Sequence, residues 1–148
     1  NIDAVADAVK NLASHHTASR TFVIGHSGGA ATAAVIAGRH PDVLDGAVLI
    51  SCPCYINRWR AERNASSWPA SLSPGDFIEG ISPQTRILAV TGRNDSNTRP
   101  GLAKTFVAEF RERGGDATFT EISGVSHSLS GKFADQIMPM ITAFVGRE

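Results

Sequence analysis

The sequence predicts an α/β protein, a doubly wound, mostly parallel sheet with helices on both faces. Three observations carry that expectation. Short apolar runs recur along the chain: "TFVIG" at Thr21–Gly25, "GAVLIS" at Gly46–Ser51 and "RILAVTG" at Arg86–Gly92. Each is the length of a strand and mostly apolar, as strands buried on both faces are. Helical spacing of apolar residues fills most of the intervals, and strand and helix in strict turn imply parallel strands with helical crossovers. Finally, the first run turns directly into "HSGGA", a serine set among glycines ahead of an alanine-rich stretch, which reads as strand, tight turn, helix.

Taken in order, Ile2, Val5, Val9 and Leu12 are spaced for one face of a helix, which the polar stretch "SHHTASR" ends. The strand "TFVIG" follows. Residues 28–39, "GGAATAAVIAGR", are small helix formers suited to close packing on a sheet. "GAVLIS" and "RILAVTG" are the next two strands. Between them, residues 52–85 break the rhythm, since αβ connections usually run about 2–6 residues. That segment holds both tryptophans and the one tyrosine. It is expected as a cap-like insertion roofing a pocket, with a surface excursion carrying one extra helix as the alternative. Residues 100–113 form a helix that buries Leu102, Phe106, Val107 and Phe110 and stops at Gly114–Gly115. "ATFTEI" alternates, as a strand nearer the sheet edge does. Residues 132–145 make the last helix, kinked or restarted at Pro139. The whole of 1–148 is one domain.

Charge excludes some functions. Lys plus Arg and Asp plus Glu are 14 each, so the chain lacks the basic surface that nucleic acid or anionic membrane demands. No apolar run approaches the ~20 residues of a membrane span, and no signal peptide opens the chain. A soluble, cytoplasmic protein is the expectation. Cys52 and Cys54 are too few for a disulfide framework or a structural zinc site and are expected as free thiols. No metal and no cofactor are expected.

The chemistry lies at strand ends. Gly25-His26-Ser27-Gly28-Gly29 fits G-x-S-x-G between a strand and a helix, a turn that lifts the serine hydroxyl clear of the sheet. A serine hydroxyl is a poor nucleophile until a base takes its proton, and that base needs an acid to orient it. Asp95 follows the strand "RILAVTG", and His127 follows "ATFTEI" just before the last helix, in the chain order Ser, acid, His. Each has an alternative. Ser27 could be a helix N-cap, Asp95 a turn-former in "GRNDS", and Asp76 could be the acid instead. His15, His16 and His40 sit at helix ends, where a cation suits the dipole. His26 is placed with Gly28 among the oxyanion- or substrate-facing positions, with packing as its alternative.

On these residues the chain resembles the C-terminal half of an α/β-hydrolase. "SPGDFIEGISPQTRILAVTGRNDS" is similar to the acid-strand region of dienelactone-hydrolase-like and prolyl-oligopeptidase-like members. The resemblance implies Ser27 as nucleophile, Asp95 as orienting acid, His127 as general base and the Gly28 N–H as one oxyanion donor. It implies a serine hydrolase cleaving a carboxylic ester, or a related acyl bond, through an acyl-serine intermediate on a small-molecule substrate. The alternatives are a serine peptidase of the prolyl-oligopeptidase type and a non-catalytic binding protein on the same scaffold. The resemblance also implies a strand ahead of Asn1. We therefore expect an upstream segment, or a partner chain, to cover the Thr21–Gly25 edge.

Overall fold

The computed structural model describes residues 1–17 and 19–147. Strand and helix alternate in the order α1 (Ile2–His15), β1 (Phe22–His26), α2 (Gly28–Arg39), β2 (Gly46–Ile50) and α3 (Ile56–Ala61). A 3₁₀ helix (Pro74–Gly80) leads to β3 (Arg86–Gly92), α4 (Pro100–Glu112), β4 (Ala117–Ile122) and α5 (Lys132–Gly146). The four strands form one parallel sheet in the order β1-β2-β3-β4. β4 lies at one edge, as its alternating sequence predicts, and β1 lies at the other.

Because successive side chains of a strand face opposite ways, the register builds two separate cores. Ala47, Leu49, Ile87, Ala89 and Ala117 face one side, where α1, α2, α4 and the 3₁₀ helix cover them. Val48, Ile50, Leu88, Val90 and Ile122 face the other, under Phe133, Ile137 and Ile141 of α5. The alanines of α2 let that helix sit close on the sheet, and Phe106 and Phe110 of α4 are almost fully buried beside it. Burying each such phenylalanine stabilises the fold by roughly 1.5–3 kcal/mol.

Several expectations are refined. α1 continues to His15, through residues placed in the polar break, and α5 runs through Pro139 as one assigned helix. Segment 52–85 divides between two places. Its α3 reaches the loop after β3, where Trp59 Nε1 donates to the Asn97 carbonyl (2.8 Å) and Arg63 Nη1 to Asn97 Oδ1 (2.7 Å). Its 3₁₀ helix packs on α2 and gives Ile78 to the core, with Ile81 just beyond it. The expectation of free thiols is wrong. Cys52 and Cys54 are joined in a disulfide, both buried, with Cα atoms 5.2 Å apart, inside the range a disulfide spans. The backbone leaves β2 through Ser51 at φ 51°, and Pro53 is the one residue between the two cysteines.

Candidate active site

The strands are parallel, so the loops after β1, β3 and β4 all open at the same end of the sheet, where ligands bind in such folds. Ser27 ends β1 at φ 55° and ψ −118°, a backbone conformation that L residues rarely hold and that persists only where surroundings enforce it. Its own N–H donates to the Ile50 carbonyl at 2.8 Å, pinning the turn to the neighbouring strand. Gly25 allows the turn to close. A Cβ there would lie 2.6 Å from the Ala30 nitrogen and closer still to the Gly29 carbonyl. Ser27 makes no side-chain cap bond to α2, which removes the N-cap alternative. Its hydroxyl points elsewhere.

That hydroxyl lies 3.1 Å from His127 Nε2, and His127 Nδ1 lies 2.9 Å from Asp95 Oδ2. A carboxylate only accepts, so Nδ1 carries the proton and Nε2 is left to accept from Ser27. The structure thus brings Ser27, His127 and Asp95 into one hydrogen-bonded line from three strand ends. Asp76 is exposed in the 3₁₀ helix, and its side chain makes no bond to His127. His15 and His16 are exposed at the end of α1, and His40 pairs with Asp3 at 3.0 Å. Gly28 and Gly29 are exposed at the start of α2, where first-turn N–H groups have no partner within the helix. His26 turns its ring toward His127, with Nε2 2.8 Å from the His127 carbonyl oxygen.

Asp95 is both the turn-former and the partner of His127. Oδ1 accepts from the backbone N–H groups of Asn97 (2.9 Å) and Thr98 (2.7 Å), which closes an Asx-type turn. Oδ2 accepts from His127 and from the Thr98 hydroxyl (2.8 Å), which also lies 3.1 Å from His127 Nδ1. Burial pushes this carboxyl upward. The bonds from His127 and from the backbone and hydroxyl of Thr98 outweigh burial and hold it below the usual carboxylate value. Ser51 Oγ adds to this from nearby, although it makes no hydrogen bond of ordinary geometry.

Gly92 makes room for the loop that carries His127. A Cβ there would meet the Ser126 carbonyl at 2.7 Å and the Val125 carbonyl closer still, so the β4–α5 loop could not pass the end of β3. The amides of Arg93 and Asn94 donate into that loop, to Ile122 and Val125. Sequence reasoning missed Thr98 and Gly92. The run Asp-Ser-Asn-Thr carried a turn signal that could have found Thr98. Nothing local in the sequence marks what Gly92 touches. A groove of about 500 Å³ runs along α1 and β1, between Leu12 and Ile24. A cleft of about 360 Å³ lies beside Asp95, between Arg93 and Arg99. The bonded line of side chains, not cavity size, locates the site.

The family profile described as serine aminopeptidase, S33, matches residues 2–75, half of the chain. The chain belongs to that family of α/β-hydrolases. The matched half includes Ser27 and neither Asp95 nor His127. No curated protein matches the chain by sequence. Solved α/β-hydrolase structures match throughout. The acylaminoacyl peptidase of Pyrococcus horikoshii aligns over 99% of this chain with a TM-score of 0.81 at 10% identity, and 27% of that protein is covered. An esterase of Pyrococcus furiosus aligns over 97% with a TM-score of 0.77 at 16% identity, and 60% of it is covered. A protein of unknown function from Agrobacterium tumefaciens aligns over 97% with a TM-score of 0.65 at 21% identity, and 61% of it is covered. These likenesses carry the fold, a partial α/β-hydrolase sheet with helices on both sides. The chain spans from about a quarter to about three fifths of the length of these proteins. Among the described residues no helix is long and apolar enough to cross a membrane.

Proposed function

We propose that this α/β-hydrolase is a serine hydrolase that cleaves a carboxylic ester, or a related acyl bond, through an acyl-Ser27 intermediate. The line from Ser27 Oγ through His127 to Asp95 Oδ2 is the observation that carries the reading. Ser27 attacks the substrate carbonyl while His127 Nε2 takes the hydroxyl proton. The carbonyl oxygen becomes an oxyanion, and the Gly28 N–H at the start of α2 donates to it. His127 then gives its proton to the leaving alkoxide as the tetrahedral species collapses to the acyl-enzyme. Water, deprotonated by His127, releases the acid and regenerates Ser27 Oγ–H. Asp95 keeps the imidazole in the tautomer that can accept from serine.

The test is labelling of Ser27 by a fluorophosphonate, with turnover of an activated ester followed against pH. His127 takes the serine proton only when its ring is neutral, so the rate should fall in acid. A rate indifferent to acid, with no label at Ser27, sinks the reading. The family profile and the peptidase likeness favour a second reading, cleavage of a peptide bond. An aminoacyl anilide turned over ahead of the matching ester would select it.

We also propose that a further strand, from an upstream segment or a partner chain, lies along β1. Ile24 is 52% exposed at that edge and Leu12 of α1 is 62% exposed across the adjoining groove, leaving apolar surface and unpaired strand backbone together. Supplying the covering strand should raise the melting temperature and the ester rate together. Unchanged values would remove this proposal.

A further inference from the structure

We infer that His26, the residue before the nucleophile, is a positioning residue that holds His127 in place through its backbone. The inference rests on the reading of His127 as general base. His127 belongs to no helix or strand, and Ser126, Ser128, Leu129 and Ser130 around it are exposed. Val125 is the buried anchor of this stretch. A base on such a loop needs a reference point, and His26 supplies one. Its Nε2 lies 2.8 Å from the His127 carbonyl oxygen, and the two rings lie 5.0 Å apart, tilted by 41°. A carbonyl only accepts, so His26 carries its proton on Nε2 and donates it there.

The contacts close a ring. The His127 imidazole meets the Ser27 hydroxyl, the His127 carbonyl meets the His26 imidazole, and His26 and Ser27 share a peptide bond. The backbone of the base is therefore fixed to the strand that carries the nucleophile, not merely to its own loop. With that donor gone, the 3.1 Å approach of Nε2 to Oγ rests on the ring bonds and on the tie of Asn94 to Val125, two residues away. A misplacement of about 1 Å between reacting groups costs on the order of 10²-fold in rate. G-x-S-x-G leaves the position before the serine free, so the motif itself does not ask for a histidine.

Two variants test it in this chain. His26→Leu keeps bulk and removes the donor, whereas His26→Gln places an amide N–H at about the reach of Nε2. Three readouts are followed: the rate of fluorophosphonate labelling at Ser27, kcat and KM for an activated ester, and the low-field NMR signal of the His127 Nδ1 proton facing Asp95. His26→Leu should lower the labelling rate and kcat by roughly 10- to 100-fold. Its KM should stay within about twofold, and the low-field signal should broaden. His26→Gln should recover most of the rate and the sharp signal. His26→Leu labelled at the wild-type rate, with the signal intact, would overturn the inference. So would a folded His26→Gln as impaired as His26→Leu. If His26→Leu does not fold, His26→Gln decides alone: near wild-type labelling supports the donor role and loss of labelling overturns it. If the wild-type chain is not labelled at Ser27, the proposed function fails instead. The NMR signal, which needs no turnover, still tests the clamp: loss in His26→Leu with retention in His26→Gln supports it, and an unchanged signal in His26→Leu overturns it.

Discussion

Ser27→Ala is expected to reduce turnover of an activated ester by about 10⁶ while leaving the protein folded. The hydroxyl is the group aimed at His127 Nε2, at 3.1 Å, and alanine offers nothing in its place. The turn itself does not depend on that oxygen. The Ser27 N–H still donates to Ile50 and the helix still starts at Gly28, while the strained φ of 55° already accommodates a Cβ. One side-chain hydrogen bond is lost, worth about 0.5–1.5 kcal/mol. The melting temperature should therefore move by only a few degrees. Turnover and label incorporation at wild-type levels in the folded variant would put the nucleophile elsewhere.

Asp95→Asn should cost roughly 10⁴ in kcat. The Asx turn dictates how the amide sits. The side-chain oxygen keeps the two backbone N–H donors of Asn97 and Thr98, so the NH₂ replaces Oδ2 and faces His127 Nδ1. Nδ1 must then accept, the proton moves to Nε2, and the imidazole no longer takes a proton from serine. Asp76→Asn, on an exposed carboxyl outside the line, should leave the rate unchanged; the reverse pattern would reassign the acid. The same variant has a signature in acid. The Asp95 carboxyl titrates below its usual 3.8 in the folded protein, so its contribution to stability is present above that value. It is lost as pH falls through the lower, folded value. Asp95→Asn should lack that acid-limb loss, so the stability gap between it and wild type narrows as the pH drops. Stability curves that stay parallel would contradict the depressed value.

The sheet was legible because each strand obeys a local rule. "GAVLI" reads as a strand buried on both faces, and all five of its residues are buried. The turn at Ser27 was legible for the same reason, since few arrangements explain a serine between glycines where a strand meets a helix. Asp95 was harder, because its two readings describe the same carboxylate: one oxygen makes the turn and the other faces the imidazole. The cysteine pair was misread because the approach of two thiols across Pro53 depends on how the chain leaves β2 at Ser51. That is a backbone event no composition rule reports. Thr98 could have been found from the turn signal around Asp95, whereas Gly92 acts through contacts with Val125 and Ser126 far along the chain, and a single sequence carries no mark of those. The reach of His26 is of the same kind: it donates to a carbonyl 101 residues away.

The passage of the β4–α5 loop across Gly92 divides the site by lifetime. Ser27 is set by its own strained turn and by the bond from its N–H to Ile50 of β2. The stretch that carries His127 is tied to the end of β3 through Ile122 and Val125, and to β1 through the His26 ring, while Ser126 and Ser128 on either side of it are exposed. Segments outside helix and strand open in sub-global excursions less costly than complete unfolding. That loop is therefore expected to open ahead of the sheet, and amide exchange at Asn94, which donates to Val125, would report it. Warming should then part His127 from Ser27 before the sheet gives way, so that their alignment is less durable than the fold that carries it.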